Sequence, residues 1–319
     1  MRSTVLLTGG FGNIGGRLSS YFHETQEFDV RLGSRTDRKP PSWAPDAQPT
    51  RLNVLDIASL KKSLFGVDAV VHLAAMNDIE CANDPGLARA VNVEGTQNLL
   101  ECAVAAGVRR MIYLSTAQVY VTPLIGTISE SAVPNPQNTY GATHLEAEYL
   151  VRKVHDAHQM VGIRIRCANG FGAPMDPTVK IWHILVNDLC RQAAEYGSLT
   201  LKSHGDQERN FVPLHDVCSA IFHLLNLDPQ LVNDGLFNLG HKESSSVWDM
   251  TRRIAGRCKA VLGFTPPIIR PPAESSEKPP SLDFRSDKLR AIGWIPRGNL
   301  DEEIDQLLEL CAREFPRRA

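Results

Sequence analysis

The chain has 319 residues, of which 43% are hydrophobic and 22% are charged, and its 34 basic and 36 acidic residues leave a net charge of −2. This length and composition predict a globular protein with a large hydrophobic core, built as one large domain with a smaller lobe or as two ordinary domains. The balanced charge excludes the basic surface that nucleic-acid binding requires.

The cysteine pattern and the apolar segments predict a cytoplasmic protein. Seven cysteines, odd in number and never in a CxxC pair, indicate neither a disulfide framework nor a zinc site, and reduced thiols are expected. Met1-Arg2 leads directly into a predicted strand, and no segment approaches about 18 unbroken apolar residues, so we expect no secretory leader and no membrane partner. The histidines show no HxH or HxxxH spacing, and no metal site is predicted.

The first half of the chain alternates between apolar strands and helices of amphipathic spacing. The predicted elements are strand 3–8, a helix from Ile14, strand 28–32, a helix around 58–65, strand 69–73, a helix over about 85–106, strand 111–114, a helix from 140 to about 158 and strand 162–166. This alternation predicts an α/β fold with a doubly wound parallel sheet.

A glycine-rich turn lies between the first strand and the first helix and reads Thr8-Gly9-Gly10-Phe11-Gly12-Asn13-Ile14-Gly15. Glycines at this place let the backbone approach phosphates closely, and the helix N-terminus faces their negative charge. The turn predicts a Rossmann domain that binds NAD or NADP through Gly9, Gly12, Asn13, Ile14 and Gly15.

The end of the second strand favours NADP over NAD. NAD enzymes place a carboxylate there for the ribose 2′-hydroxyl, whereas this chain has Ser34 and Arg35, and an arginine suits a 2′-phosphate. The alternative is that Arg35 and Arg38 are solvated loop charges.

The last third of the chain differs in character, because proline pairs at 266–267, 271–272 and 279–280 divide it into short pieces. We therefore predict a smaller α/β carboxyl-terminal lobe over the carboxyl edge of the sheet. The predicted boundaries place the NAD(P)-binding Rossmann domain at 1–170, with 209–240 returning to it, and the substrate-binding lobe at 171–208 and 241–319.

Eight motifs in a specific order carry a family resemblance. They are the glycine turn, Asp56, His72-Leu73-Ala74-Ala75, Asn92-Val93-Glu94-Gly95-Thr96, Leu114-Ser115-Thr116-Ala117-Gln118-Val119-Tyr120, Tyr140-Gly141-Ala142-Thr143-His144-Leu145-Glu146, Arg166-Cys167-Ala168-Asn169-Gly170-Phe171-Gly172, and Arg209-Asn210-Phe211-Val212-Pro213-Leu214-His215-Asp216. Over nearly its whole length the chain resembles the extended short-chain dehydrogenase/reductase family, in its nucleotide-sugar epimerase/dehydratase branch.

The resemblance implies a set of site residues and a homodimer formed through the helices at 85–106 and 140–158. It implies cofactor contacts from Asp56, Ala74, Ala75, Asn92, Ser115, Tyr140 and His144. It implies substrate contacts from Thr116, Gln118, Asn169 and Arg209, of which the arginine suits the pyrophosphate of a nucleotide sugar. The alternatives are that Asn169 caps a turn and that Arg209 is a surface charge near Asp206.

The implied catalytic residues are Thr116, Tyr140 and His144. Tyr140 would move a proton at a sugar hydroxyl, which a phenol of pKa about 10 does near neutral pH only if nearby positive charge stabilises its phenolate. The family's YxxxK motif has His144 in place of lysine, on the same helical face as Tyr140. Because a histidine is only partly charged near pH 7, we expect slower chemistry or help from another cation, such as the oxidised nicotinamide ring.

The residues after Thr116 narrow the reaction. The dehydratase relatives have Asp-Glu there and the decarboxylase relatives a Glu, whereas this chain has Ala117-Gln118, so elimination and decarboxylation are disfavoured. Epimerisation, most often at the sugar C4, and one-way reduction of a keto-sugar remain. Glu277 is a further possible contact to the sugar, while His72 and Asp216 are expected to close a strand and to cap a helix.

Two readings from other classes stay open. A cofactor-binding sensor or scaffold would keep the glycine turn without turnover. A sterol- or flavonoid-type reductase would use tyrosine and NADP but would have no use for Arg209.

Overall fold

The computed structural model describes residues 2–273 and 280–317. Its strands are β1 (Ser3–Thr8), β2 (Phe28–Ser34), β3 (Gln48–Arg51), β4 (Ala69–His72), β5 (Arg110–Thr116), β6 (Gly126–Ile128), β7 (Val161–Cys167), β8 (Asn169–Phe171), β9 (Leu199–Thr200), β10 (Glu208–Pro213), β11 (Leu236–Leu239), β12 (Ser244–Ser246), β13 (Ile268–Ile269) and β14 (Leu282–Phe284). Its helices are α1 (Asn13–Thr25), α2 (Ile57–Leu64), α3 (Asp78–Asn83), α4 (Pro85–Arg89), α5 (Gly95–Ala105), α6 (Thr139–Asp156), α7 (Leu185–Tyr196), α8 (Leu214–Asn226), α9 (Val247–Leu262), α10 (Asp287–Ala291) and α11 (Leu300–Glu314). A π-helical turn, Ala90–Glu94, joins α4 to α5.

Seven parallel strands form the main sheet in the order β11-β7-β5-β4-β1-β2-β3. The central strands are apolar on both faces because helices cover both; Leu6 and Leu7, which are neighbours in β1, belong to different cores. Leu7 packs with α1 and α8, and Leu6 packs with α2, α5 and α6. The doubly wound α/β fold is therefore confirmed.

The carboxyl-terminal lobe is more regular than the proline pairs predicted. Helices α7, α9 and α11 pack around their own core, beside a small sheet of order β12-β10-β8. The expectation of short pieces throughout was wrong, since α9 has 16 residues and α11 has 15. Both helices avoid the proline pairs, and α9 buries Val247, Met250, Ile254 and Cys258 on one face.

The last part of the chain also returns to the Rossmann core. Leu289 of α10 and Trp294 lie 0% and 3% exposed among the core residues of the main sheet, although the predicted boundaries place them in the lobe. No helix in residues 2–273 and 280–317 is long and apolar enough to cross a membrane.

The strand order positions the site. The order reverses between β1 and β4, and in doubly wound sheets ligands bind at the carboxyl ends of the strands beside such a reversal. The glycine turn follows β1 there, and Thr116 ends the nearby β5.

Candidate active site

The glycine turn packs its backbone against the segment that follows β4. Gly9 has φ +67°, and a Cβ on it would lie 3.2 Å from the Ala74 nitrogen. A Cβ on Gly15 would lie 2.3 Å from the Gly9 oxygen, so no side chain fits between the turn and α1. The turn is closed by a 2.9 Å hydrogen bond from the Gly12 nitrogen to the Gly9 oxygen. Because the backbones approach so closely, the first turn of α1 is held at the carboxyl edge of the sheet.

The N-terminus of α1 fits the pyrophosphate of a dinucleotide. The helix has Gly12 at its N-cap position and no side-chain cap, so the N–H groups of its first turn are left for another acceptor. The side-chain oxygen of Asn13 is buried and has no hydrogen-bond partner in the described residues. A glycine cradle and uncapped N–H groups are what a bound diphosphate would use, whereas the Asn13 oxygen can only accept from a donor group of a ligand.

The residues that follow β2 place positive charge at the same carboxyl edge of the sheet. Arg35 is exposed and makes no hydrogen bond or ion pair within the described residues, and Ser34 accepts a 3.3 Å bond from the Thr36 nitrogen. The Arg38 guanidinium lies 5.6 Å from the centre of the Phe11 ring, which holds it beside the glycine turn.

A buried hydrogen-bond network fixes the segment after β4. His72 contacts Thr8 Oγ1 through Nδ1 at 2.6 Å and Thr96 Oγ1 through Nε2 at 3.0 Å. Thr96 donates its own proton to the Asn92 carbonyl, so His72 Nε2 must be the donor to Thr96 and Nδ1 the acceptor from Thr8. Thr8 Oγ1 in turn accepts from the nitrogens of Leu73 and Ala74.

This network keeps His72 neutral. Burial, followed by the nearby His144, lowers the pKa of His72 to about 3. The histidine ends β4, as expected, and holds Ala74 against the glycine turn.

Asn92 supports the site through its side-chain amide. Its Oδ1 accepts from the Met76 nitrogen at 2.8 Å, and its Nδ2 donates to Thr143 Oγ1 at 3.0 Å and to Cys81 Sγ at 3.5 Å. Both amide hydrogens are therefore used inside the protein, and Asn92 links the segment after β4 to α6.

Asp56 stands at the start of α2. Its Oδ1 accepts from the nitrogens of Ala58 and Ser59, at 3.0 and 3.3 Å, as a helix N-cap does. Its Oδ2 makes no bond within the described residues.

Tyr140 and Thr116 come together at the carboxyl edge. Tyr140 lies in the first turn of α6, where Asn138 Oδ1 caps the helix by accepting from the Gly141 nitrogen at 2.8 Å. Burial, and then the carboxylate of Asp78, raise the pKa of the Tyr140 phenol above its usual value, while a hydrogen bond with the Thr116 side chain lowers it. Two hydroxyl groups from different elements thus meet, as a shared contact to one reacting oxygen requires.

His144 is neutral, which corrects the expected partial charge. Its ring is 2% exposed and lies 4.2 Å from the Tyr140 ring, centre to centre. Nδ1 donates to the Tyr140 carbonyl at 2.9 Å, so Nε2 is left as an acceptor. Burial lowers the pKa of His144 to about 4, and the imidazole supplies no positive charge at pH 7.

The Ser115 hydroxyl is engaged by a buried ion pair. It donates to Glu148 Oε1 at 2.5 Å, and Arg166 binds the same carboxylate through Nε at 3.0 Å and a terminal nitrogen at 2.7 Å. The side chain of Ser115 therefore ties β5 to α6 and β7.

Besides Thr116, the predicted substrate residues are Gln118 in the 3₁₀-helical turn Ala117–Val119, Asn169 in β8 and Arg209 in β10. Gln118 Oε1 accepts from Asn138 at 2.9 Å, and Asn169 Nδ2 donates to the Asn210 carbonyl at 3.0 Å. Arg209, in β10, has no ion pair or hydrogen bond within the described residues, and burial lowers the pKa of its guanidinium. Asp206 pairs with His204 at 2.6 Å, so it does not serve as the partner of Arg209.

Asp216 does not cap a helix, contrary to expectation. Helix α8 begins at Leu214 with Pro213 at its N-cap position. The buried Asp216 carboxylate instead accepts from the nitrogens of Arg297 and Gly298, at 2.9 and 2.6 Å, and so anchors the segment before α11. Glu277 lies outside the described residues.

Two site residues escaped the sequence analysis. Asn138 could have been found, because an asparagine three residues before Gly141 at a predicted helix start is a typical N-cap. Asp78 could not, since no motif marks it; the fold alone brings its carboxylate near Tyr140 and places it 3.3 Å from His183. Within the described residues no three His, Cys, Asp or Glu side chains cluster as metal ligands would.

Comparison with known proteins identifies the class. The model of the NAD dependent epimerase/dehydratase family matches residues 5–240. The chain therefore belongs to the NAD-dependent epimerase/dehydratase family, and the expected extended short-chain dehydrogenase/reductase branch is confirmed.

Individual relatives cover almost the whole chain. A UDP-glucose 4-epimerase of Streptomyces lividans is 27% identical over 93% of this chain and 92% of its own length. A dTDP-D-glucose 4,6-dehydratase of Mus musculus is 26% identical over 78% of this chain and 69% of its own. The solved UDP-glucuronic acid 4-epimerase of Bacillus cereus, in complex with UDP-glucuronic acid and NAD, shares the fold with a TM-score of 0.76, at 22% identity and with 97% and 99% of the two chains covered.

Proposed function

We propose that this chain is an NAD(P)-dependent epimerase that inverts one carbon, C4, of a nucleotide-diphosphate sugar by transient oxidation and re-reduction. The observation that carries the proposal is that Thr116, at the end of β5, lies close enough to Tyr140, in the first turn of α6, for its side chain to lower the pKa of the phenol. The 4-epimerase relatives and the absence of an acid-base pair after Thr116 support epimerisation rather than elimination.

In this proposal Tyr140 moves the proton and Thr116 holds the oxygen. As a phenolate, stabilised by the positive charge of the oxidised cofactor when that is bound, Tyr140 would take the proton of the C4 hydroxyl as the hydrogen on C4 leaves as hydride, and as a phenol it would return that proton when hydride comes back to the other face. Thr116 hydrogen-bonds the same oxygen in its hydroxyl and carbonyl forms. The nicotinamide cofactor, when bound, accepts and returns the hydride.

Arg209 is proposed to hold the substrate pyrophosphate. It is a partly buried guanidinium with no counter-ion within residues 2–273 and 280–317, and burying such a charge is costly unless an anion joins it. Asn169, which pairs with Phe211 two residues along β10 from Arg209, is proposed to contact the same ligand, and Gln118 to contact the sugar.

We propose the cofactor contacts in the same way as the substrate contacts. The glycine-turn residues would bind the pyrophosphate and His144 the nicotinamide ribose, through an Nε2 that accepts from a hydroxyl. Asp56 would contribute its free Oδ2, Ala74 and Ala75 would border the cofactor, and Asn92 and Ser115 would position neighbouring groups. NADP remains our preferred cofactor, although the solved relatives carry NAD. NAD enzymes have a carboxylate at the end of β2, which would repel a 2′-phosphate, and this chain has Ser34 and Arg35 there instead.

Ligand stabilisation and turnover test the function. We expect NADP or NAD, and one of UDP, dTDP, GDP and CDP, to raise the Tm in a thermal-shift screen. The matching nucleotide sugar should then convert to its 4-epimer, as followed by NMR. If a cofactor stabilises the protein while no nucleotide does, the sugar substrate is wrong and a binding protein or another reductase is favoured.

The histidine in the YxxxK position offers a sharper test of the role of Tyr140. A cation close to the phenol lowers its pKa, so His144→Lys should raise the rate near pH 7 and shift the rising limb of the pH-rate profile toward lower pH. The matched variant His144→Gln keeps a neutral polar group and should leave the profile in place. An unchanged profile in the lysine variant would show that this position does not limit catalysis.

We also propose a cytoplasmic homodimer. Leu87 of α4 and Tyr149 of α6 are 47% and 54% exposed on the two segments expected to form the interface, and all seven cysteines are buried free thiols, as suits a reducing compartment. Light scattering of the purified protein measures the oligomeric state directly.

A further inference from the structure

Strand β7 carries two buried arginines on one face. Ile163 and Ile165 are fully buried in the core on the α1 and α8 side. The alternate residues face α6, where Gly162 lies against Val151 and Arg166 binds Glu148. Arg164 and Arg166, 5% and 4% exposed, therefore stand side by side where a covered parallel sheet normally has apolar residues.

The hydrogen bonds of these two guanidinium groups are incomplete. Arg166 is paired with Glu148 and its guanidinium lies 4.8 Å from the centre of the Tyr120 ring, but its other terminal nitrogen is buried without a hydrogen-bond partner among the described residues. Arg164 donates only to the Asp234 carbonyl, its Nε is buried without a partner, and within the described residues no carboxylate forms an ion pair with it. Burial lowers the pKa of Arg164, although the nearby carboxylates of Glu148 and Asp234 partly offset that effect.

Arg110 shows how this fold satisfies a buried arginine when no ligand is involved. It is 8% exposed, on the neighbouring strand β5, and it donates to three carbonyls at the end of α8: those of Leu224, Leu225 and Leu227. Arg164, which is equally buried, donates to one carbonyl instead of three. The difference indicates that Arg164 is built to meet an acceptor from outside the protein.

A cavity of about 270 Å³ opens in front of the two arginines. Arg152 of α6 lines it as a third guanidinium, although its Nε donates to the exposed Asp156. Two carboxylates also line it: Glu148 is engaged by Arg166, and Glu130 accepts from the Asn238 nitrogen. The exposed side chain of Val133 stands at its rim.

The cavity is separate from the proposed reaction site. Arg152 follows Tyr140 by twelve residues along α6, which places their backbones about 18 Å apart. The pair Glu148–Arg166 lies between them and contacts Ser115 on its other side.

We propose that this cavity, named here the arginine cavity after Arg152, Arg164 and Arg166, is a second anion site that binds a phosphate group, either free or as a phosphate monoester. A planar guanidinium with unpaired N–H groups is suited to phosphate oxygens, and the bound anion supplies Arg164 with the counter-charge it lacks. This site does not depend on the proposed epimerase activity.

Phosphate-dependent stability tests the site. At constant ionic strength, inorganic phosphate should raise the Tm of the full-length protein along a saturable curve, by roughly 3–6 °C at a hundredfold excess over Kd. Arg209→Gln, which removes the guanidinium proposed to bind the substrate pyrophosphate, should keep this response, whereas Arg164→Met should lose it. Without phosphate, Arg164→Met should be at least as stable as wild type, because it replaces a buried charge that forms no ion pair within the described residues by an apolar chain of similar length.

Three outcomes would overturn the proposal: no saturable response to phosphate, a response that survives in Arg164→Met, or a response lost only in Arg209→Gln. If Arg164→Met fails to fold, the exposed Arg152→Gln should still raise the Kd for phosphate several-fold, as measured by calorimetry, and an unchanged Kd would contradict the site. Methyl phosphate distinguishes the sources: binding as tight as that of phosphate indicates the phosphoryl group of a larger molecule, and much weaker binding indicates the free ion.

Discussion

Two polar regions at the carboxyl edge of the sheet differ in how completely they are satisfied. Behind β4, Thr8, His72, Thr96 and Asn92 form a closed network in which each ring nitrogen and both amide hydrogens have partners. Facing the cleft, Arg209, Nε2 of His144 and Oδ1 of Asn13 have none within the described residues.

The difference separates groups that position the backbone from groups that we propose to bind cofactor and substrate. A buried polar group left without a partner costs about 1–3 kcal/mol, so a fold retains such groups where a ligand completes them. The network behind β4 holds the backbone against the glycine turn, and the unpartnered groups define the space that cofactor and substrate would fill. Each prediction below perturbs one side of this contrast.

The largest effect is expected for Tyr140→Phe, which removes the proton-moving hydroxyl from the cleft. Turnover of the nucleotide sugar should fall about 10³-fold, whereas the Kd for the cofactor should change little, because the ring still packs on His144. Steady-state kinetics and a cofactor titration measure the two quantities. A cofactor Kd that rises in parallel with the loss of rate would instead place the hydroxyl in cofactor binding.

Arg209→Gln removes the unpaired charge and should raise the Kd for the nucleoside diphosphate roughly 10- to 100-fold. The free energy of unfolding without ligand should not decrease, because Arg209 has no partner to lose among residues 2–273 and 280–317. The matched control is Arg253→Gln on α9, whose exposed side chain pairs with Asp301 at 3.5 Å, and it should leave the Kd unchanged. If the two variants changed the Kd equally, Arg209 would act only as a surface charge and not as a specific contact to the nucleoside diphosphate.

Acid should destabilise the folded protein, because the buried histidines of both regions are held neutral in it. The pKa of His144 is lowered to about 4 in the folded chain and is about 6.5 when unfolded. The contribution of the neutral imidazole to the free energy of unfolding is therefore complete above pH 6.5 and is lost as the pH falls toward 4. Between pH 7 and pH 5 the wild type should lose about 2 kcal/mol more unfolding free energy than His144→Gln.

Urea unfolding at several pH values measures this difference between the wild type and His144→Gln. His158→Asn, at an exposed position with φ +54° that asparagine tolerates, should follow the wild type at each pH. Parallel curves for the wild type and His144→Gln would mean that His144 is not held neutral by the fold.

The smallest effect is expected at the end of β2. Arg35→Ala should raise the Kd for NADP about five- to tenfold and leave the Kd for NAD unchanged, since only NADP has a 2′-phosphate for the guanidinium. Fluorescence titration with both cofactors gives the ratio. Equal Kd values for the two cofactors in the wild type would end the preference for NADP.

Local pattern predicted the Rossmann half well because strands buried on both faces are apolar runs that stop at glycine or polar residues. It missed β3, whose Gln48-Pro49-Thr50-Arg51 is polar and lies at the sheet edge, where proline and partial exposure are tolerated. It underestimated α9 and α11, since the proline pairs drew attention away from their regular apolar spacing.

The sequence by itself determined the glycine turn, the order of strands and helices, the family motifs and the replacement of lysine by His144, because these depend on residue types at short spacing. Only the tertiary structure decided which polar groups are satisfied. Several findings depend on contacts between segments far apart in the chain: Asn92 serves the backbone of Met76, Asp78 lies near Tyr140, His144 is neutral, and Arg164 and Arg209 form no ion pair within the described residues. Hydrogen bonding and desolvation are set by those contacts, so residue spacing alone does not predict them.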